Sequence, residues 1–155
     1  MDPDTITRYI VETFANVDVV VASGDSFFFY NPPEDQPPDR RFPFATLVTG
    51  DQHDQASNLR QPGVFRLNIG VSPETFRSLF GQQPAADSEP TGLETPGYDF
   101  TALDRIMPHP VYGRMFWACV LNPSDATFDT ARPLLAEAYD RAVKRHATTR
   151  RAGRV

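Results

Sequence analysis

The sequence predicts an α+β domain: an antiparallel sheet with its N- and C-terminal helices packed on one face. Three observations carry that expectation. First, an apolar strand, a Ser-Pro or Asn-Pro step and a helix follow one another twice, at residues 63–80 and again from residue 112 to about residue 146. Second, both terminal helices carry apolar residues at helical spacing. Third, Phe65, Leu67, Ile69 and Val71 alternate with Arg66 and Asn68, so that strand has one core face and one wetter face.

Taken in order, Asp2 is a good N-cap and Pro3 suits the first helical position. Ile6, Tyr9, Ile10, Phe14 and Val17 then make an amphipathic helix of about a dozen residues. Val19 to Val21 is a short strand, Ser23-Gly24-Asp25 a tight turn, and residues 26–30 the returning strand of a hairpin. Residues 31–43 hold five prolines and read as a loop, because so many missing donors cannot serve a ladder. Residues 44–49 form a third strand, and the polar stretch 51–62 a second loop. Ser72 and Pro73 start a short helix that Gly81 ends. Residues 82–97, acidic and rich in Pro and Gly, read as a mobile insertion. Residues 98–106 read as one or two helical turns stopped by Pro108. Phe128, Ala131, Leu135, Ala138, Tyr139 and Ala142 keep helical register through Pro133, which predicts a kink there and not a break. The domain thus spans 1–147, and 148–155 is a frayed basic tail.

The chain has 155 residues, enough for one core without disulfide or metal staples. Net charge is −5, which argues against a general nucleic-acid binder. Cys119 is the single cysteine, so no internal disulfide forms, and a reducing cytoplasm is the simplest location. No signal pattern follows the acidic N-terminus, and the apolar runs fall far short of a membrane span. All basic residues but Lys144 are arginine, which fits codon bias better than a design for phosphate.

The order helix, antiparallel strands, short helix, long strand, terminal helix resembles the MmcQ/YjbR-like proteins, which have a frataxin-like sandwich described as a double wing. That resemblance implies DNA contact, but the wings placed here are not basic. Three phrases carry a closer likeness: Phe42-Pro-Phe-Ala-Thr-Leu-Val-Thr-Gly-Asp51, Gly63-Val-Phe-Arg-Leu-Asn-Ile-Gly-Val71 and Met107-Pro-His-Pro-Val-Tyr-Gly113. They resemble an uncharacterised bacterial domain-of-unknown-function family, number six-one-nine-four. Neither family supplies catalytic residues to carry over.

Candidate site residues come from three places. Asp51, His53 and Asp54 form the densest polar cluster; carboxylates beside an imidazole can bind a metal or share a proton. Their spacing matches no metal motif, and a solvated turn is the favoured account. His109 stands between Pro108 and Pro110, which stiffen it. It either points into a cleft or, the favoured role, caps the preceding turn. Arg66, Asn68, Tyr112, Arg114 and Trp117 can share a sheet surface, and Arg beside an aromatic suits planar or anionic ligands. Cys119, in a central strand, reads as core packing. The arginines of the last helix and tail suit the helix C-terminus.

These residues favour a non-enzymatic cytoplasmic module that binds a small molecule or a protein, with no cofactor and no metal. The alternatives are a double-wing DNA-binding protein and a small enzyme using Asp51, His53, Asp54 and His109. Residues 27–30 and 115–121 are apolar on both sheet faces, and two helices cover only one. The second face is therefore expected to be covered by the 31–43 loop or by a twofold partner, a homodimer, with a ligand rim among Arg66, Asn68, His109, Tyr112 and Arg114.

Overall fold

A computed structural model describes residues 1–31, 42–81 and 98–152. Ten elements follow in order: α1 (Pro3–Thr13), β1 (Val17–Ala22), β2 (Asp25–Tyr30), β3 (Ala45–Val48), β4 (Arg66–Gly70), α2 (Pro73–Phe80), β5 (Met107–Pro108), a 3₁₀ turn (Gly113–Met115), β6 (Trp117–Leu121) and α3 (Asp125–Ala152). The strands form one sheet in the order β1-β2-β3-β4-β6-β5, with every neighbouring pair antiparallel. The expected loop at 31–43 lies mostly, and the expected insertion at 82–97 entirely, outside the described residues.

Local chemistry explains most boundaries. Asp2 caps α1, its Oδ1 accepting from the Thr5 amide at 2.7 Å. The β1–β2 hairpin closes on Ser23 and Gly24, both at positive φ, as two-residue turns that match strand twist require. Ser72 caps α2 through Oγ at 3.1 Å from the Thr75 amide. Ser124 accepts from the Thr127 amide at 3.2 Å and starts α3. Asn122 does different work: its side chain accepts from Phe65 N at 2.9 Å and donates to Gly63 O at 3.0 Å, pinning the start of β4 beside the end of β6.

One sheet face carries the main core. Phe28, Ala45, Leu47, Leu67, Ile69 and Val120 point to it, and Ile6 and Ile10 of α1, Phe76 of α2 and Phe128, Ala131 and Leu135 of α3 pack on them. Both terminal helices therefore share a face, as the amphipathic stripes predict. The Glu137 carboxylate of α3 accepts from the Ser72 and Thr75 hydroxyls, each at 2.7 Å, joining α3 to the N-terminus of α2. Burial alone would raise its pKa, but these hydrogen bonds outweigh it and hold it below the ordinary value.

Several sequence expectations are corrected. Residues 98–106 form turns without helix, with Asp104 at positive φ, and lead into the two-residue edge strand β5. Pro108 is tolerated there because an edge position need not donate. The long strand expected from residue 112 is only Trp117–Leu121. The 3₁₀ turn and Phe116 in the left-handed region interrupt what precedes it, leaving Met115 exposed. The last helix runs past His146 to Ala152, although it does continue through Pro133 as its register predicts. Most consequentially, the face of Arg66 and Asn68 is not wet: they are 1% and 3% exposed.

Part of that second face is covered by the chain's own segments. Leu59 and Ala56 from the 49–65 stretch, with Phe100 and Tyr98, pack over Val48, Met107, Cys119 and Leu121. The described part of the 31–43 loop adds no residue to this cluster. No helix among the described residues is long and apolar enough to cross a membrane.

Ser72 both caps α2 and holds Glu137. Ser72→Ala is expected to lower stability by about 1–2 kcal/mol, the usual scale of a lost N-cap. An unchanged urea midpoint would show that neither bond matters.

Candidate functional site

Period-two alternation places Asp25, Phe27, Thr46, Val48, Arg66, Asn68, Gly70, Trp117, Cys119 and Leu121 on the second face. Where the 49–65 cover ends, a pocket of about 550 Å³ opens. Its polar lining includes Thr46, His53, Asp54, Arg66, Asn68 and His109. Phe27, Phe42, Tyr112 and Trp117 supply the aromatic wall, and Arg141 and Arg145 of α3 border it. Gly70 lies opposite Trp117 across the β4–β6 pair, and a Cβ on it would meet the indole at 3.2 Å. The missing side chain is what lets the ring lie close to β4.

Arg66 organises the polar part. Its Nη1 and Nη2 donate to Asp54 Oδ1 and Oδ2 at 3.0 and 2.7 Å, a bidentate pair. Nη1 also donates to Ser57 Oγ at 2.9 Å and Nε to Asn68 Oδ1 at 3.0 Å. Asn68 in turn donates to Thr46 Oγ1 at 2.9 Å, so the network joins two strands, β3 and β4, to the 49–65 segment. Burial pushes the Asp54 pKa up, but the hydrogen bonds and charge of Arg66 outweigh it and hold the carboxyl below its ordinary value.

His109 is 2% exposed. Its Nδ1 accepts from the amides of Val111 and Tyr112, both at 3.0 Å. Its Nε2 stands 3.4 Å from Arg66 Nη2. Burial lowers the imidazole pKa to about 3, with the Arg66 charge adding to the effect and Asp54 opposing it. His109 is therefore neutral at ordinary pH. Beside it Cys119 is fully buried, its thiol directed at Pro108 O at 3.6 Å and pushed up to about 12 by burial, so it is packing and not a nucleophile.

A second pair lies at the pocket's other side. Asp25, fully buried, accepts from Thr49 N at 2.8 Å and stands 3.0 Å from His53 Nε2. The half-exposed His53 ring meets Phe27 edge-on, with centroids 6.0 Å apart.

Of the sequence candidates, His53, Asp54, Arg66, Asn68, His109 and Tyr112 line one pocket. Asp51 does not: it turns to Arg60, with which it makes a mostly exposed ion pair. Arg114, in the 3₁₀ turn, is not among the lining residues. Asp54 is no solvated turn residue, since its side chain is 9% exposed in the Arg66 pair. His109 points into the pocket instead of capping the 101–106 turn. Asp25, Ser57 and Thr46 escaped sequence reasoning. For Asp25 a signal existed, because period two puts it on the Phe27 face. Among the described residues, no group of three or more His, Cys, Asp or Glu could hold a metal ion.

The chain belongs to DUF6194, a family of unknown function whose model matches residues 1–152. No curated protein and no solved structure matches it. The MmcQ/YjbR-like resemblance rests on element order alone.

Two predictions follow from the network. Asp54→Ala strands a buried guanidinium and is expected to cost about 3–5 kcal/mol, whereas the pair Asp54→Leu with Arg66→Met recovers much of that loss. Additive losses in the double variant would contradict this. Folding also keeps His109 neutral where the unfolded chain protonates near pH 6.5. Between that value and about 3 the unfolded state binds more protons, so stability falls as pH drops through this window. Urea midpoints should decrease from pH 7.5 to pH 5, and His109→Gln should flatten the slope. An identical slope in the variant would assign it elsewhere.

Proposed function

We propose that this domain is a small-molecule-binding module whose ligand occupies the second sheet face. The observation that carries this reading is the pocket itself: about 550 Å³, aromatic on one side, with a few fixed polar groups converging on it. Pockets for small ligands have that size and composition. Trp117, Phe27 and Tyr112 favour a planar, largely apolar ligand. The polar groups are held by partners of their own, so they orient a ligand at little cost in ordering. Binding is favoured over catalysis because His109 is neutral and fixed, and the Cys119 thiol is inert. Net charge −5 speaks against duplex nucleic acid as the occupant.

Trp117 is the single tryptophan, so its emission reports occupancy directly. Screening planar metabolites by thermal shift should yield compounds that raise Tm and change Trp117 emission together. Trp117→Phe should abolish the emission change. Gly70→Ala, which presses a methyl against the indole, should weaken binding about tenfold, an energy of about 1.4 kcal/mol. Compounds that raise Tm without touching Trp117 emission would place the site elsewhere.

A further inference from the structure

Arg66 has five N–H donors. Four are engaged: Nε on Asn68, both of Nη1 on Asp54 and Ser57, and one of Nη2 on Asp54. The fifth faces His109 Nε2 at 3.4 Å. Two backbone amides donate to His109 Nδ1, so that nitrogen carries a lone pair and no hydrogen. In a neutral ring the proton then sits on Nε2. Two N–H groups therefore converge, each a donor, and no acceptor among the described residues faces either. Both side chains are almost completely buried and both line the pocket. An unmatched donor in such a place costs more than a hydrogen bond returns, so an acceptor arriving between them gains on both.

Charge decides which acceptor. The Arg66 guanidinium is neutralised by Asp54 in a two-pronged pair, and His109 is uncharged. An oxygen reaching this point meets two N–H dipoles and no excess positive charge. A carboxylate would give up its hydration without a counter-ion. A carbonyl oxygen of a ketone or amide loses far less and takes both hydrogen bonds. Resting on the pocket reading above, we infer that Arg66 Nη2 and His109 Nε2 form a two-donor seat for a neutral carbonyl oxygen, carried by a planar aromatic ligand against Trp117. Arg141 and Arg145 on the helix side of the pocket are the competing source of charge.

The test uses three probes of one size at millimolar concentration: acetophenone, benzoate and ethylbenzene. Readouts are Trp117 emission and the imidazole ¹⁵N resonances of labelled protein. His109 should show the neutral ring with hydrogen on Nε2 from pH 5 to 8. Acetophenone should shift that Nε2 resonance and bind about tenfold more tightly than ethylbenzene, the scale of one or two buried hydrogen bonds. His109→Phe should bring acetophenone down to the ethylbenzene level and leave ethylbenzene unchanged. A hydrogen on Nδ1, or acetophenone binding no better than ethylbenzene with Nε2 unmoved, overturns the seat and leaves the pocket. Benzoate binding more tightly than acetophenone overturns the neutral acceptor in favour of an anion drawn by the α3 arginines. No response to any probe overturns the pocket reading and the seat with it.

Discussion

A guanidinium buried in the middle of a sheet face is the constraint on which the second half of this structure depends. Arg66 cannot lose its charge, and four of its five donors find acceptors within the fold. The sheet supplies one, Asn68, itself fixed by Thr46. The others must come from outside the sheet, and the 49–65 segment brings Asp54 and Ser57. Held there, the segment lays Ala56 and Leu59 over Val48 and Leu121 and so becomes the second cover. Its first part sets His53 against Asp25 at the start of β2. One side chain thus fixes the segment that a long, polar, weakly patterned sequence would otherwise leave free.

The two faces are held by different physics. On the helix-covered face, apolar area does the work and is tolerant of exchange. On the other face, direction matters, because each polar group has a fixed number of bonds to make. A buried ion pair is a poor stabiliser compared with apolar residues of the same volume. It is a good way to hold donors at known positions. The pocket lies where that polar network meets the bare sheet, and Gly70 keeps the floor open beneath the Trp117 ring.

The sequence shows the first face well and the second poorly. Alternation in residues 65–71 separates Leu67 and Ile69 from Arg66 and Asn68, and the caps Asp2, Ser72 and Ser124 mark three helix starts. What alternation lacks is a sign for burial of a polar face: an arginine opposite an apolar stripe reads as solvent-facing until its acceptors, nine and twelve residues upstream, are known. The same distance hides the role of His109, whose amide partners are two and three residues away but whose Arg66 neighbour is forty-three. The break before β6 was invisible for another reason. Tyr112 to Phe116 has the composition of a strand, and only a 3₁₀ turn followed by a left-handed phenylalanine shows otherwise. Asp51 and Arg114 are candidates by nearness in sequence or by residue type, and neither criterion fixes where a side chain points.

The groups on the second face share one property that bears on what the domain does. Arg66, His109 and Cys119 each hold one protonation state. The charge of Arg66 is matched by Asp54, and the Cys119 thiol is held protonated by burial. His109 stays neutral at ordinary pH, chiefly because it is buried, with the Arg66 cation beside it adding to the effect. General acid–base chemistry needs a group whose two protonation states are close in energy at working pH. Recognition needs the reverse, a donor that keeps one state and one position whatever the solvent does. His109 and Arg66 meet the second requirement and fail the first. On the binding function proposed above, a site assembled from such groups distinguishes ligands by where they place an acceptor, and that is selection by geometry.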